Sequence, residues 1–253
     1  MPETPILAFD VGGSFVKAGL VNPASGAVVG SVLRRRTPAG SAPIEVIELL
    51  ASMARELPAA GPVGFAFPAV IRRGRAWTAA NVDPRWIGTD AQGLLSERIG
   101  RPVALLNDAD AAGVAEMTLG AGRGLDGTVM VLTLGTGIGT AIFVDGRLLP
   151  NTELGHLEVR GEEAEHRASA RVKADRGLGW REWAAAVNEV LAAYHVLLWP
   201  DLYIIGGGVT ENWEHFGPLL ESRAEIVPAH FRNEAGIIGA AMAAAALPDG
   251  KVK

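Results

Sequence analysis

Near its start, the sequence has a glycine-rich turn with the residue types that bind phosphate. Gly12, Gly13 and Ser14 form the turn, Asp10 precedes it and Lys17 follows it. Glycine lacks the Cβ that would keep phosphate oxygens away from backbone N–H groups. We therefore expect the three turn residues to surround a phosphoryl group, Asp10 to hold Mg²⁺ through water, and Lys17 to neutralise charge. The alternative is an ordinary β-hairpin, in which Gly-Gly turns are common.

Two later glycine-rich segments have a similar character. The first spans 135–139 and supplies Gly135, Thr136 and Gly137 as phosphate-binding candidates. It lacks the spacing and the lysine of a P-loop, and because a strand should follow it, it is not a dinucleotide-binding fingerprint. In the second segment, which follows an apolar run, Gly207 and Gly208 could lie under an adenine or a phosphate chain. A strand-to-helix turn is an equally good interpretation of that second segment.

An acid at the end of a buried apolar run is the candidate general base. Phosphoryl transfer to a hydroxyl requires a carboxylate within hydrogen-bonding reach of the attacking oxygen. Asp108 follows such a run and opens a helical pattern, which is where open α/β sheets bind their ligands. Capping of the helix is the alternative role for Asp108. Asp110, in the first helical turn, is expected only to complement the helix dipole.

The loop at 151–156 has side chains that suit a sugar. A carboxylate from Glu153 and a neutral imidazole from His156 would match the donors and acceptors of neighbouring hydroxyl groups. A metal site is the alternative, but the chain has no cysteine, and the sequence gives these two residues no acidic partner. The other histidines have no ligand spacing to His156, and we interpret them as structural or exposed. In a separate polar loop, Asn81 is a further candidate for binding a sugar hydroxyl.

Alternating strands and helices must position these residues. Apolar runs predict strands at 6–10, 16–21, 28–33, 62–67, 103–106, 128–134, 140–144 and 202–205. Helical spacing of apolar residues predicts helices at 43–57, 89–99, 108–119, 162–173, 180–198 and 233–247. This alternation predicts an α/β protein with mixed sheets. Because the strand–glycine–strand unit occurs twice, we expect a small lobe over 1–110, on which the closing helix could pack, and a large lobe over 111–253.

Composition excludes several classes of protein. Hydrophobic residues make up 49% and charged residues 20% of the chain, as in a globular protein. The formal net charge of −5 argues against a broadly basic nucleic-acid-binding protein. The absence of cysteine excludes disulfides and thiolate metal sites and fits a cytoplasmic location. No basic stretch precedes an apolar run at the start, and no apolar run reaches membrane-spanning length, so we expect neither a signal peptide nor a membrane partner.

In combination, these motifs resemble the ROK family of sugar kinases, within the actin/hexokinase-like phosphotransferases. The likeness covers nearly the whole chain, is most specific at 107–110 and 153–156, and is greatest to the polyphosphate glucokinase and glucomannokinase branch. It implies a two-lobed, ribonuclease H-like α/β fold with mixed sheets and an interlobe cleft. It also implies phosphoryl transfer from inorganic polyphosphate, ATP or both to the 6-hydroxyl of glucose, with mannose left open, by a homodimer.

The resemblance further implies roles for single residues and for cofactors. Asp108 matches the family's catalytic base, which also contacts the sugar. Mg²⁺ is expected with either donor, whereas the cysteine-rich zinc motif of many members is missing, so no zinc is expected. Pro68-Ala69 stands where the family has Pro-Gly, which predicts a small shift of that loop. The residues that match the family's sugar contacts are Asn81, Asn107, Glu153, His156 and, in a more divergent region, Glu165.

A polyphosphate donor needs a basic track beyond the glycine turns. Arg167 and Arg171 would share one face if their stretch is helical. A solvated face balanced by the acids Glu162, Glu163 and Glu165 is the alternative, and the charges alone favour it. The candidates for the track are Arg72, Arg73, Arg75, Arg85, Arg123, Arg167, Arg171, Lys173 and Arg176.

Two other functions are weighed against that of a sugar kinase. A non-catalytic, sugar-sensing regulator of the same family is disfavoured by the candidate base and by the lack of a DNA-binding extension before the first strand. An actin-like nucleotide hydrolase or assembly protein would have no use for the sugar loop.

Overall fold

The computed structural model describes residues 4–80 and 82–248. Its strands are β1 (Ile6–Val11), β2 (Phe15–Val21), β3 (Val28–Arg36), β4 (Val63–Phe67), β5 (Ile71–Arg72), β6 (Arg75–Ala76), β7 (Val103–Asn107), β8 (Thr128–Leu134), β9 (Ile138–Val144), β10 (Arg147–Leu149), β11 (Glu158–Val159), β12 (Glu162–Glu163), β13 (Leu202–Gly206) and β14 (Glu225–Pro228). Its helices are α1 (Pro43–Glu56), α2 (Ala91–Ile99), α3 (Asp108–Leu119), α4 (Ala164–Ala168), α5 (Ala170–Asp175), α6 (Trp180–Leu198), α7 (Trp213–Phe216) and α8 (Ala235–Ala245).

The described residues form two compact units. The first unit lies within 1–115 and 234–253, and the second comprises 116–233. The chain passes from the first unit to the second inside α3 and returns just before α8. The lobe boundary that we placed at residue 110 from the sequence stays a prediction.

The first unit is built on a five-stranded sheet in the order β3-β2-β1-β4-β7. β1, β2 and β3 pair antiparallel, whereas β1, β4 and β7 pair parallel. The hairpin predicted at the first glycine turn is confirmed, with Asp10 opposite Lys17 in its register. Apolar residues of α1 and β1 share one core, and α8 packs on β4 and β1. Every residue of β4 is therefore buried, which explains its continuous apolar sequence.

Two glycines let α8 approach its neighbours closely. A Cβ added at Gly64 in β4 would lie 1.9 Å from the backbone oxygen of Ala240. A Cβ added at Gly239 in α8 would lie 1.7 Å from the backbone oxygen of Ala111. Larger residues at either position would push α8 away from β4 or α3. The last helix of the chain is thus a closely packed part of the first unit.

The second unit contains its own five-stranded sheet, in the order β10-β9-β8-β13-β14. β8, β9 and β10 pair antiparallel, whereas β8, β13 and β14 pair parallel. The hairpin predicted at the second glycine turn is confirmed as the start of a mixed sheet. The core of this unit is aromatic, with the rings of Trp183 in α6 and Phe216 in α7 centred 5.0 Å apart.

The helix predicted at 162–173 is wrong in part. Its first two residues form strand β12, and the rest divides into α4 and α5 on either side of Ser169. Ser169 has an extended backbone, and its Oγ accepts a hydrogen bond from Val172 N at 3.3 Å, so it caps α5. Because this cap begins a new helix, Arg167 and Arg171 lie on different helices and share no single helix face.

The other predicted strands and helices are confirmed with small shifts at their ends. α2, for example, begins at Ala91 because the side chain of Asp90 accepts a hydrogen bond from Gly93 N. The sequence analysis missed only short elements, such as the β5–β6 hairpin and α7. Within 4–80 and 82–248, no helix has both the length and the apolar character that a membrane span requires.

Candidate functional site

The first glycine turn is closed by a backbone hydrogen bond. Gly12 N donates to the backbone oxygen of Phe15 at 2.9 Å, so this N–H is used inside the turn. Gly13 and Ser14 are exposed at the tip. The turn therefore has the composition predicted for a phosphate site, and its exposed part is the Gly13-Ser14 pair.

Asp10 lies between a cation and a helix N-terminus. Its Oδ2 is 3.2 Å from Nζ of Lys17, its cross-strand partner. In the first turn of α8, a Cβ added at Gly236 would come within 2.9 Å of Asp10 Cγ, so the carboxylate lies against that helix start, where the helix dipole favours an anion. Carboxylate oxygens suit Mg²⁺, and the role of Asp10 in holding it through water stays a prediction.

Thr37 also holds the first turn, a role that the sequence analysis missed. Its Oγ1 donates to the backbone oxygen of Gly12 at 2.6 Å, and its N donates to the backbone oxygen of Ser14 at 3.0 Å. Thr37 directly follows β3, which pairs with β2. No local motif marks this residue, because only the strand pairing brings it to the turn.

Asn107 supplies the main cap of helix α3. Oδ1 of Asn107 accepts hydrogen bonds from Ala109 N at 2.9 Å and from Asp110 N at 3.1 Å. Oδ1 of Asp108 accepts from Ala109 N at 2.9 Å. Asp108 is half-buried and directly follows the carboxyl end of β7, as predicted. Helix capping was the alternative role for Asp108, and Asn107 fills most of that role.

The loop after β4 is tied to Asn107. Nδ2 of Asn107, which is 5% exposed, donates to the backbone oxygen of Ala69 at 3.2 Å. Ala69 is not among the described residues with positive φ, so an alanine fits there without a strained backbone. Asn81, the other sugar contact predicted for this unit, lies outside the described residues.

The second glycine turn is anchored by two elements of its own unit. Gly135 N donates to the backbone oxygen of Gly137 at 3.0 Å, and Gly135 O accepts from Arg171 N of α5 at 3.1 Å. The backbone N–H just after the turn donates to Oε2 of Glu165 at 3.3 Å. Thr136 is exposed at the tip. Glu165, assigned above to the sugar by resemblance, is thus a neighbour of the phosphate-binding candidates.

The third glycine segment is a strand-to-helix turn. β13 passes at Gly207 into a 3-10 helix, and Gly207 has a φ of 91°. A Cβ added there would lie 2.4 Å from the backbone oxygen of Leu134 in β8. Close packing in the sheet therefore requires this glycine. The roles of Gly207 and Gly208 in donor binding stay predictions.

A pair of threonines fixes the loop that carries Glu153 and His156. Thr140 Oγ1 donates to the backbone oxygen of Thr152 at 2.7 Å, and Thr152 Oγ1 donates to that of Thr140 at 2.8 Å. Gly155 lies so close to β9 that an added Cβ would meet a carbonyl oxygen of that strand at 2.2 Å. Glu153 and His156 therefore extend from one short turn that is held against β9.

Three carboxylates surround His156. Its Nδ1 lies 3.0 Å from Oε2 of Glu163 and 3.9 Å from Oε1 of Glu165, and its Nε2 lies 3.8 Å from Oε2 of Glu153. The hydrogen bond with Glu163 raises the pKa of His156, and the neighbouring negative charges add to this effect against that of burial. The same hydrogen bond lowers the pKa of Glu163. The surroundings favour the imidazolium, whereas the sequence analysis expected a neutral imidazole.

The pKa of Glu153 is raised, whereas that of Glu163 is lowered. Burial raises the pKa of Glu153, and the charge of Glu165 raises it further while that of His156 lowers it. A carboxyl group that is protonated more readily can donate a hydrogen bond as well as accept one. This property suits the mixed donors and acceptors of sugar hydroxyls.

The same cluster has a donor set that could hold a divalent cation. One donor atom each from His156, Glu163 and Glu165 lies within 4.8 Å of the others. From the sequence, no acidic partner could be assigned to His156 for a metal site; in the structure, Glu163 and Glu165 take that place. His166 is exposed, as expected, yet its ring lies 3.8 Å from Glu163 and 3.9 Å from Glu165. The absence of zinc stays a prediction.

The candidates for a basic track fall into distinct groups. Within the described residues, Arg72, Arg73 and Arg75 form no ion pair and line one surface pocket with Trp77. Lys173 lies over the ring of Trp180. Near 162–176 the arginines are neutralised by neighbouring acids, which favours the balanced-face alternative there. The paired arginines are Arg85 with Asp83, Arg167 with Glu162 and Glu189, Arg171 with Asp175, and Arg176 with Glu162.

Comparison with known proteins identifies the family. A model of the ROK family matches residues 6–171. The chain belongs to the ROK family. The matched residues include both glycine turns, Asp108 and the loop that carries Glu153 and His156. The ROK resemblance drawn from the motifs is therefore confirmed.

Individual ROK proteins are similar over nearly the whole chain. Polyphosphate glucokinase of Mycobacterium tuberculosis (strain CDC 1551 / Oshkosh) is 45% identical over 238 residues, which cover 94% of this chain and 90% of that relative. The crystal structure of inorganic polyphosphate/ATP-glucomannokinase from Arthrobacter sp. strain KM matches with a TM-score of 0.93 and 46% identity, over 96% of this chain and 98% of that one.

A more distant ROK structure supports the fold alone. The ROK family glucokinase from Streptomyces griseus, solved in complex with glucose and AMPPNP, matches with a TM-score of 0.80 at 24% identity. That match covers 94% of this chain and 98% of the other. The predicted α/β fold with mixed sheets, of the actin/hexokinase-like class, is confirmed.

Proposed function

We propose that this ROK protein is a kinase that transfers a phosphoryl group from inorganic polyphosphate or ATP to the 6-hydroxyl of glucose. The substrates are supported by the 45% identity to a polyphosphate glucokinase and by the match to a polyphosphate/ATP-glucomannokinase. The structural observation that carries the catalytic assignment is the capping of α3 by Asn107. Asn107 accepts hydrogen bonds from two N–H groups at the start of α3, so the Asp108 carboxylate is not needed as the helix cap.

Asp108 acts as the general base in this proposal. Its carboxylate accepts the proton of the sugar hydroxyl while the oxygen attacks the terminal phosphorus. The phosphoanhydride bond of that phosphorus breaks, and ADP or the shortened polyphosphate leaves with the bridging oxygen. Such a base contributes roughly 10²–10⁴-fold to the rate. The positive end of the α3 dipole stabilises negative charge at this position. The hydrogen bond from Ala109 N to Asp108 Oδ1 holds one oxygen of the carboxylate at the junction of β7 and α3.

Both glycine turns bind donor phosphates in this proposal. Backbone N–H groups at the exposed tips, Gly13-Ser14 in the first unit and Thr136-Gly137 in the second, are the donors offered to phosphate oxygens. Lys17 neutralises charge beside the first turn. Mg²⁺, held through water by Asp10, would screen the phosphate oxygens and stabilise the charge that develops during transfer.

The sugar contacts are proposed for each unit separately. Glu153, His156 and Glu165 present carboxylates and an imidazole from the second unit, and Asn107 belongs to the first. Asn81 completes the proposed set. The glucomannokinase match supports mannose as a second acceptor.

A homodimer is also part of the proposal. Helix α6 ends in exposed apolar side chains, with Val196 73% and Trp199 65% exposed, a surface that a second copy could cover. Light scattering after size-exclusion chromatography should give the mass of a dimer, and Trp199→Glu should shift the mass towards that of the monomer. A monomeric wild-type protein would contradict the dimer.

The decisive experiment combines each acceptor with each donor. Glucose and mannose are incubated separately with ATP and with polyphosphate, and the sugar phosphate is detected directly. We expect glucose 6-phosphate with both donors, and its loss by roughly 10²–10⁴-fold in Asp108→Asn with glucose binding retained. Sugar binding without product under either donor would favour a regulator, and normal turnover by Asp108→Asn would exclude Asp108 as the base.

A further inference from the structure

Three successive arginines end β3, the edge strand of the first sheet. Residues alternate between faces along a strand, and the pairing places Arg34 opposite Lys17 and Arg36 opposite Phe15. Arg35 has a separate partner, because its Nη2 lies 2.9 Å from Oε2 of Glu56 in α1. The run therefore presents two arginines together and directs the middle one elsewhere.

Arg34 and Arg36 are held over one aromatic ring. The guanidinium carbons of Arg34 and Arg36 lie 3.7 and 5.5 Å from the centre of the Phe15 ring. Such stacking orients a guanidinium group while its N–H donors stay available to an anion. Both arginines are exposed. Within the described residues, neither forms an ion pair with a carboxylate. They thus form a fixed pair of cations, in contrast to the neutralised arginines of 162–176.

This pair lies beside the first glycine turn. Phe15 follows the exposed Gly13-Ser14 tip directly, and Arg36 is followed by Thr37, whose side chain and N–H hold that turn. A phosphate bound at the tip would therefore have Arg34 and Arg36 as its neighbours along the sheet edge. Neither arginine was among the residues predicted to form a basic track.

We propose that Arg34 and Arg36 bind the phosphate units of polyphosphate that extend beyond the unit held by the first glycine turn. This inference rests on the proposed function. Polyphosphate carries a negative charge on every unit, and planar guanidinium groups bind such oxygens through two parallel hydrogen bonds. The anionic part of ATP ends at the nucleoside, so Arg34 and Arg36 should strengthen the binding of long polyphosphate far more than that of ATP.

The test compares double variants of equal charge. Arg34→Ala/Arg36→Ala removes the pair, and Arg35→Ala/Arg98→Ala removes two arginines of the same unit that are paired with Glu56 and Glu48. We expect the first variant to raise the KM for long-chain polyphosphate by about tenfold, the combined effect of two exposed ion pairs. Its KM for ATP and for glucose should change much less, and the control variant should resemble the wild type.

Chain length and direct binding complete the test. The KM difference between the two double variants should shrink as the donor is shortened to tripolyphosphate, and calorimetry should show weaker binding of long polyphosphate only for Arg34→Ala/Arg36→Ala. Melting temperature and the ATP-dependent rate establish that both variants are folded. Equal KM values for long polyphosphate in the two variants would overturn this inference. A wild-type protein that makes product with ATP but none with polyphosphate would overturn this inference, whereas one that makes no product with either donor would contradict the proposed function.

Discussion

The side chains of His156 and Glu163 are joined by a 3.0 Å hydrogen bond between Nδ1 and Oε2. The bond connects the short turn after β10 with strand β12, so the ring orientation of His156 depends on a residue from another element. With Nδ1 engaged by Glu163, Nε2 is directed towards Glu153, 3.8 Å away. Glu163 therefore positions the imidazole that we assign to the sugar.

Glu163→Gln should weaken glucose binding through His156. The hydrogen bond to the carboxylate raises the pKa of His156, so its removal should lower that pKa and shift the corresponding inflection in the pH profile of the glucose KM to lower pH. We expect KM to rise several-fold with little change in kcat. Glu162→Gln is the matched control, because Glu162 pairs with Arg176 instead. An unchanged pH profile in Glu163→Gln would contradict the positioning role.

The same pair should make stability depend on pH in a defined window. The raised pKa of His156 contributes stability that is complete below its ordinary value of 6.5 and is lost as pH rises through the raised value. The lowered pKa of Glu163 contributes stability that is present above 4.5 and is lost as pH falls through the lowered value. The difference in free energy of unfolding between wild type and Glu163→Gln should therefore be largest between pH 4.5 and pH 6.5. Urea denaturation across the pH range measures it, and a difference that is constant with pH would contradict the linkage.

Asn107→Ala should lower stability more than Asp108→Asn does, whereas Asp108→Asn should lower turnover more. Loss of the α3 cap in Asn107→Ala should cost about 1 kcal/mol of unfolding free energy, because Asp110 N–H loses the Asn107 oxygen while Ala109 N–H keeps that of Asp108. Asp108→Asn should leave stability nearly unchanged while turnover falls. Thermal denaturation and a coupled kinase assay separate the two effects. Asp108→Ala shows whether Asp108 shares the capping role, because asparagine would keep the acceptor oxygen. A loss of stability equal to that of Asn107→Ala would mean that it does.

Gly135→Ala tests whether the second turn binds phosphate. Gly135 has an ordinary φ, and a Cβ added there meets no atom within 4 Å, so the fold should accept alanine with a change of about 0.5 kcal/mol or less. Close approach of a phosphate would be blocked, and the donor KM should rise by roughly tenfold, the size of one lost hydrogen bond to a charged group. Gly19→Ala is the control, since its Cβ would make only ordinary contacts away from the turn. If Gly135→Ala keeps the wild-type donor KM, the second turn has no close contact with phosphate.

The features that the sequence determined are local. Apolar runs and helical spacing predicted the strands and helices that carry the site, and each glycine turn was placed between the correct strands. Asp108 was placed correctly at the junction of β7 and α3. These features depend on residues within a few positions of one another, where backbone geometry and alternation of apolar side chains leave few solutions. The break at Ser169 was missed although its cap is also local, because a serine can lie inside a helix as well as begin one.

The tertiary structure alone decided which distant side chains meet. Strand pairing brought Thr37 to the first turn and placed Arg34 and Arg36 on the ring of Phe15. The approach of β12 and α4 to the turn at 153–156 gave His156 the acidic partners that the sequence analysis could not identify, and these shift its pKa upward. Such contacts follow from register and from the path of the chain between elements. A shift of one residue in β3 would move Arg34 and Arg36 to the other face of the sheet, so no local pattern could predict their contact with Phe15.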